Sequence, residues 1–372
     1  MPPRLPLKRS RPRFCNSSAA RRAGLATIGI VLAALLATTL AGASAQGSDL
    51  QPNLRALLAG DLKFSSDDLA DLERGKIVKH ALPASAPGEV AAVGGVRIRA
   101  SKDRFAAAYR DIVRFKKSAS VLEIGRFGST PQLSDLDALT ITHDDFDLRE
   151  CRVGDCEIRL PADVIQRIAS DADWQHPGAE GRAATLFKRA LLDNVRSYVS
   201  GGPGRITEYD DDKAPIRPVE DFHGVLKSSP YVEQVLPGLS AHLSSYPAEP
   251  IAGGEDFLYW SKEKFGIAPF ISVTHVTLVT TNPHQYVATT RDVYSSRYFD
   301  ASLALVIASD SVGDPRSFYL FYINRSRASA LRGSFARIRR SIVERRVKGS
   351  LEDNLRAVKA RLESNLPLAA SE

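Results

Sequence analysis

Hydrophobic positions change period several times along the chain, and each change marks an element. The first feature has no period: Gly24 to Ala41 is an apolar run broken only by small polar residues. Between 46 and 85 the spacing turns helical. Ser65 or Ser66 caps a helix with Asp67 and Asp68 in its first turn, and Leu69, Leu72 and Ile77 supply its apolar positions. Ala81 to Gly88, with Pro83 and Pro87, reads as a linker. From Val90 to Ala100 the period falls to two, with Val96, Ile98 and Ala100 alternating, which predicts a strand pair around Gly94-Gly95. Ser101 then caps an amphipathic helix with Phe105, Tyr109, Ile112 and Phe115 on its apolar face. Val121 to Phe127 reads as a strand, and Leu139 to Ile141 as part of one more.

The middle of the chain is helical in period. Pro161 to Ile168 is a short helix with Pro near its start. Gly181 to Ser200 is a longer one, with an apolar stripe of Phe187, Leu191, Val195 and Tyr198, stopped by Gly201-Gly202. Pro218 to Lys227 and Tyr231 to Leu236 are shorter helices divided by Pro230. After Gly253-Gly254 the character changes, and nearly half of the aromatic residues fall between Phe257 and Tyr322. Phe270 to Thr280, Gln285 to Tyr298, Ala301 to Ser309 and Arg316 to Asn324 have β-branched and aromatic composition, which predicts an antiparallel sheet of about four strands. The last segment carries two apolar faces: Leu331, Phe335, Ile338 and Ile342, then Val347, Leu351, Leu355, Val358 and Leu362 nearly opposite. One straight helix cannot bury both, so a break near Gly349 is expected, giving helices at roughly 328–347 and 351–363.

Composition adds a class and a compartment. The chain of 372 residues is 44% hydrophobic and 25% charged, an ordinary globular composition. Its net charge of +7 suggests a polyanion partner only until the charge is located. Arg4, Lys8, Arg9, Arg11, Arg13, Arg21 and Arg22 lie in the first 45 residues, which hold no acid; beyond them 43 basic residues balance 43 acidic ones. A global nucleic-acid-binding field is thereby excluded. The basic stretch, the apolar run and Ala43-Ser44-Ala45 together read as a signal peptide cleaved after Ala45, with Gln46 as the mature start; an uncleaved anchor is the alternative. Export to the periplasm or the extracellular space of a bacterium follows. In that setting Cys151 and Cys156 are expected to form a disulfide rather than a redox-active pair or, with His143, a metal site.

The order of strand, helix, antiparallel strands and closing amphipathic helices resembles the START-like helix-grip superfamily. The best-matching stretch is Tyr319 to Glu363, a strand (YLFYINRS), a basic helix and a final helix (LEDNLRAVKARLE). The strand and helix at 90–115 would open the same fold. The resemblance implies an α+β domain over 86–372, preceded by the helical lead-in at 46–85. In it a curved antiparallel sheet is closed by C-terminal helices around an apolar cavity, and 161–253 is a helical insertion. It covers about half of the chain beyond the signal. EDFLYWSKEKFG, ISVTHVT, YSSRYFDASL and YINRSRASALRG also resemble a group of exported bacterial proteins, a likeness that supplies no activity.

The chain carries no G-x-S-x-G, H-E-x-x-H, P-loop or dinucleotide-binding glycine motif, and no cofactor or metal-ligand set is read from it. Candidate ligand-binding residues come from the strands. His275 sits on a face shared with Ile271, Val273, Thr277 and Val279, either as a satisfied core histidine or as a polar group in a cavity. Alternation groups Tyr294, Ser296, Tyr298 and Asp300, and Tyr322 joins Asn324, Phe318 and Leu320; Trp260 lies nearby in sequence. Aromatic strands with a few placed polar groups line hydrophobic pockets, and equally form filled cores. His275, Tyr294, Tyr298, Tyr322 and Trp260 are therefore the expected lining of a site for a lipid or other hydrophobic small molecule. The alternatives are an exported enzyme of cyclase or hydrolase type using His275, Arg297 and Asp300, or an envelope structural protein with a filled core. The basic helix before 347 adds peripheral contact with an anionic membrane, against a solvated arginine face paired with the acidic patches.

Overall fold

The computed structural model describes residues 49–265, 268–332 and 336–364, with side chains omitted at 336–339. The signal peptide expected within 1–45 lies outside the described residues, as do Phe335 and the side chain of Ile338.

The protein is α+β, built on one antiparallel sheet of eight strands. These are β1 (Val78–Leu82), β2 (Glu89–Ile98), β3 (Val121–Arg126), β4 (Gly254–Phe265), β5 (Ala268–Asn282), β6 (Gln285–Ser295), β7 (Ala301–Asp310) and β8 (Phe318–Arg327). Their spatial order is β1-β2-β8-β7-β6-β5-β4-β3. The meander from β4 to β8 thus meets the early hairpin β1–β2 at β8, where β2 pairs over its whole length.

Helices cover both faces. Toward one face come α3 (Lys102–Arg110), α4 (Ile112–Phe115) and the 28-residue α10 (Ala336–Glu363). Phe105, Tyr109, Leu351, Leu355 and Leu362 from these helices pack with Val276, Leu278, Val306 and Leu320 of the sheet. On the opposite face, α1 (Pro52–Gly60), α2 (Ser66–Glu73), α7 (Pro218–Lys227), α8 (Tyr231–Val235) and α9 (Leu239–Ser245) bury Val93, Leu305, Phe321 and Ile323. Further along this face α5 (Ala162–Asp171) and α6 (Ala179–Gly201) cover Trp260, Ile271, Val273 and Val293. Alternate residues of one strand therefore enter different cores, which is why β5 is buried almost continuously from Ile271 to Val279. The helices α5 to α9 all fall between β3 and β4, where the helical insertion was expected.

Three expectations are corrected. Val90 to Ala100 is not a strand pair but the single strand β2, with Gly94 and Gly95 in its middle. The glycines serve close approach rather than a turn: a Cβ on Gly94 would stand 2.9 Å from Leu355 of α10, and one on Gly95 2.5 Å from the Phe321 ring. The block after Gly253-Gly254 holds five strands rather than about four, since β4 was not among those expected, and β1 falls across the end of the expected helical lead-in and the start of the expected linker. Finally, α10 runs unbroken through Gly349. It buries Leu351, Leu355 and Leu362 against the sheet and leaves Ile342 54% exposed, while Leu331 is buried in the short 3-10 turn that precedes it. The capping reading did hold at α2, where Ser65 and Asp68 form a reciprocal capping box. Cys151 and Cys156 are joined in a disulfide. Among the described residues no helix is long and apolar enough to cross a membrane.

Candidate functional sites on the two faces of the sheet

Beneath α10 lies a cavity of about 330 Å³. The sheet side supplies Tyr259, Thr290, Leu320 and Tyr322, α10 supplies Leu351, Leu355 and Val358, and Phe105, Tyr109 and Phe115 close one side. Its residue content follows from alternation: Leu320 and Tyr322 point to this face because Tyr319, Phe321 and Ile323 point to the other. At the polar end Lys116 Nζ lies 2.7 Å from Glu263 Oε1 and donates to the Tyr259 hydroxyl at 3.2 Å. Burial would neutralise the Lys116 ammonium, but Glu263 and Tyr259 outweigh it and hold its pKa well above the ordinary value. Glu263 is shifted down: burial opposes this, and Lys116 prevails. Asp292, which accepts from Thr274 Oγ1 at 3.3 Å, is pushed up to about 7 by burial, with Lys116 pulling the other way. Burial also raises Tyr322, whose hydroxyl has no hydrogen-bond partner among the described residues. The cavity is thus apolar over most of its wall, with the Lys116–Glu263 pair and the Tyr322 phenol at one end.

On the opposite face, three side chains from three elements converge: His242 of α9, Asp256 of β4 and His275 of β5. The β4–β5 register sets Thr277 opposite Asp256, and Leu258 opposite His275. Asp256 Oδ1 receives His275 Nε2 at 3.0 Å, His242 Nε2 at 3.1 Å and the Thr277 hydroxyl at 2.7 Å. The outer ring nitrogens are engaged as well. His242 Nδ1 donates to the Glu249 carbonyl at 2.7 Å, and His275 Nδ1 lies 2.7 Å from the Tyr198 hydroxyl, contributed by α6. Both histidines are 1% exposed. The side chain of Asp256, 23% exposed, is the solvent side of the group. Burial lowers the pKa of His275 despite Asp256, whereas in His242 the bonds to Asp256 and Glu249 outweigh burial and raise it. Against its own desolvation, Asp256 is held well below the usual carboxylate range by the two imidazoles and Thr277.

Arg291, opposite His275 in the β5–β6 register, is a second buried charge on this face. It is 1% exposed, donates to the Leu243 carbonyl at 2.6 Å and stands 3.7 Å over the Phe222 ring. Its Nε has no hydrogen-bond partner among the described residues, and burial pushes its pKa down to about 10.

The five residues expected to line one site are divided between these places. Tyr322 alone lines the cavity beneath α10. His275 belongs to the histidine–aspartate group. Tyr294 faces the α5–α6 side, donating to the Arg159 carbonyl at 3.0 Å and lining a separate 270 Å³ pocket. Trp260 is fully buried there and donates to the Asp135 carbonyl at 2.7 Å. Tyr298 lies beyond the end of β6, at φ +73°, and closes onto the backbone of Ala268, so alternation does not extend from 294 to 300. The enzyme alternative's polar groups are also dispersed. Asp300 pairs with buried Arg159 at 2.6 Å, and Arg297 stacks on Phe146 and donates to the Asp145 carbonyl; neither bonds His275. Sequence reasoning missed Lys116, Glu263 and Asp292, and it missed His242 and Asp256. The last two stand 14 residues apart, and Asp256 is 19 from His275, on a helix and a strand that had not been recognised. No protein-family model matches this chain, and no curated protein matches it.

Proposed function

We propose that the protein binds a lipid or other hydrophobic small molecule in the cavity beneath α10, as an exported START-like binding protein of the bacterial envelope. The observation that carries this reading is the 330 Å³ space itself, walled by aromatic and aliphatic side chains and provided with the Tyr322 hydroxyl and the Lys116–Glu263 pair at one end. That division suits an amphipathic ligand: its apolar body meets the aromatic and aliphatic wall, and its polar atom finds a partner whose absence would cost about 1–3 kcal/mol. The disulfide supports an oxidising compartment, in keeping with the signal pattern in the first 45 residues. A carrier is favoured over the enzyme alternative because His275, Arg297 and Asp300 have separate partners.

The experiment is a titration with a fluorescent fatty-acid probe. Leu355→Trp fills the space between α10 and the sheet and is expected to abolish probe binding while the fold, followed by circular dichroism, persists. Tyr322→Phe is expected to weaken binding roughly 5- to 10-fold, the worth of about one hydrogen bond. Saturable binding untouched by both substitutions would place the ligand elsewhere, and no binding by the unaltered protein would refute the proposal.

A further inference from the structure

We propose that His242, Asp256 and His275 form a binding site for one divalent transition-metal ion. The inference is independent of the cavity beneath α10, since the two groups lie on opposite faces of the sheet. Its basis is convergence. One ligand atom from each residue lies within 4.8 Å of the others, and all three come from elements that different parts of the chain supply. Both imidazoles aim Nε2 inward and use Nδ1 outward, toward the Glu249 carbonyl and the Tyr198 hydroxyl. This is the outer-sphere arrangement that fixes ring orientation in histidine metal ligands.

The two carboxylate-to-imidazole separations fit an ion. Two ligand atoms each about 2.0–2.1 Å from one metal, at angles between octahedral and tetrahedral, stand about 2.9–3.4 Å apart. The Asp256 Oδ1 distances to the two Nε2 atoms are 3.0 and 3.1 Å. A network of hydrogen bonds alone makes a heavier demand. His242 must give Nδ1–H to a carbonyl and Nε2–H to a carboxylate, which requires a doubly protonated imidazolium that is 1% exposed. An ion replaces both inward protons and leaves each ring neutral, with the Nδ1–H of His242 still donating to the Glu249 carbonyl and the Nδ1–H of His275 donating to the Tyr198 hydroxyl oxygen.

Two imidazoles and one carboxylate select zinc, iron(II), cobalt(II) or nickel(II) over magnesium and calcium, which take all-oxygen shells. The Thr277 hydroxyl, 3.1 Å from His242 Nε2, and the exposed side of Asp256 leave room for water or an exogenous ligand to complete the coordination.

The test uses the full chain, stripped with chelator and titrated with Zn²⁺ by calorimetry and with Co²⁺ by its visible absorption. One equivalent per chain is expected, with cobalt absorption of nitrogen–oxygen character. His242→Gln and His275→Gln keep much of the side-chain volume and should weaken Zn²⁺ binding at least 100-fold. Tyr198→Phe, which removes only the outer hydrogen bond, should weaken it about 10-fold. Circular dichroism in the absence of metal separates loss of the site from loss of fold. A variant that unfolds is replaced by Asp256→Asn, which is nearly isosteric and should also abolish stoichiometric binding. Absence of stoichiometric binding in the unaltered protein, or unchanged binding in folded variants, would overturn the proposal.

Discussion

At the scale of single residues, burial decides chemistry more than residue type does. Asp292 and Glu263 are both carboxylates on the α10 side of the sheet, yet they shift in opposite directions because Lys116 sits against Glu263 and not against Asp292. Asp292 titrates near 7 in the folded protein and near 3.8 in a free chain. A carboxyl with a raised folded pKa favours the native state below its unfolded value and loses that contribution as pH rises through the folded one. Asp292→Asn removes this dependence while Lys116, Glu263, Thr274 and Tyr322 remain around it. Urea unfolding should therefore show the unaltered protein losing more stability between pH 4 and 8 than the variant, by up to about 4 kcal/mol. Parallel curves would contradict the assignment. Little of this was visible in the sequence. His275 could be singled out because it interrupts an apolar strand face, but Asp292 and Lys116 are unremarkable in their local context. Their character comes from neighbours up to 176 residues away.

At the scale of elements, local signals were legible where they are local in cause. The Ser65–Asp68 capping box and the Phe187–Leu191–Val195–Tyr198 stripe were readable because helix periodicity and capping are properties of a few adjacent residues. The glycines misled because their reason is tertiary. Gly94-Gly95 suggests a turn until α10 and Phe321 are known to press on either side of it. Gly349 suggests a helix end until the Leu351–Leu355–Leu362 face is seen holding α10 to the sheet. The two glycine sites should respond oppositely to alanine. At Gly349 a Cβ meets nothing within 4 Å, so Gly349→Ala should stabilise by about 0.5–1 kcal/mol through helix propensity. At Gly95 a Cβ would press into the Phe321 ring, so Gly95→Ala should destabilise by about 1–3 kcal/mol. Denaturant midpoints measure both, and a destabilised Gly349→Ala would argue for a break in α10.

At the scale of the whole molecule, one antiparallel sheet carries different chemistry on its two faces. Alternation along β4, β5 and β6 sends His275, Thr277 and Arg291 to the helical side and Thr274, Thr290 and Asp292 to the α10 side. The sequence permitted a sheet with an insertion and a closing helix. It did not assign residues to faces, because strand register and the residues at the end of β6 depend on pairing that no single strand specifies. Of the five expected lining residues, Tyr322 consequently fell on one face, His275, Tyr294 and Trp260 on the other, and Tyr298 beyond the end of β6.

The most direct test of the central claim is native mass spectrometry of the protein exported by a bacterial host and purified without detergent, followed by organic extraction. The account predicts a bound hydrophobic molecule on the unaltered protein, released by extraction, and its absence from the folded Leu355→Trp variant. The same mass adduct on both proteins, or none on either after the unaltered protein is incubated with an extract of envelope lipids, would contradict it.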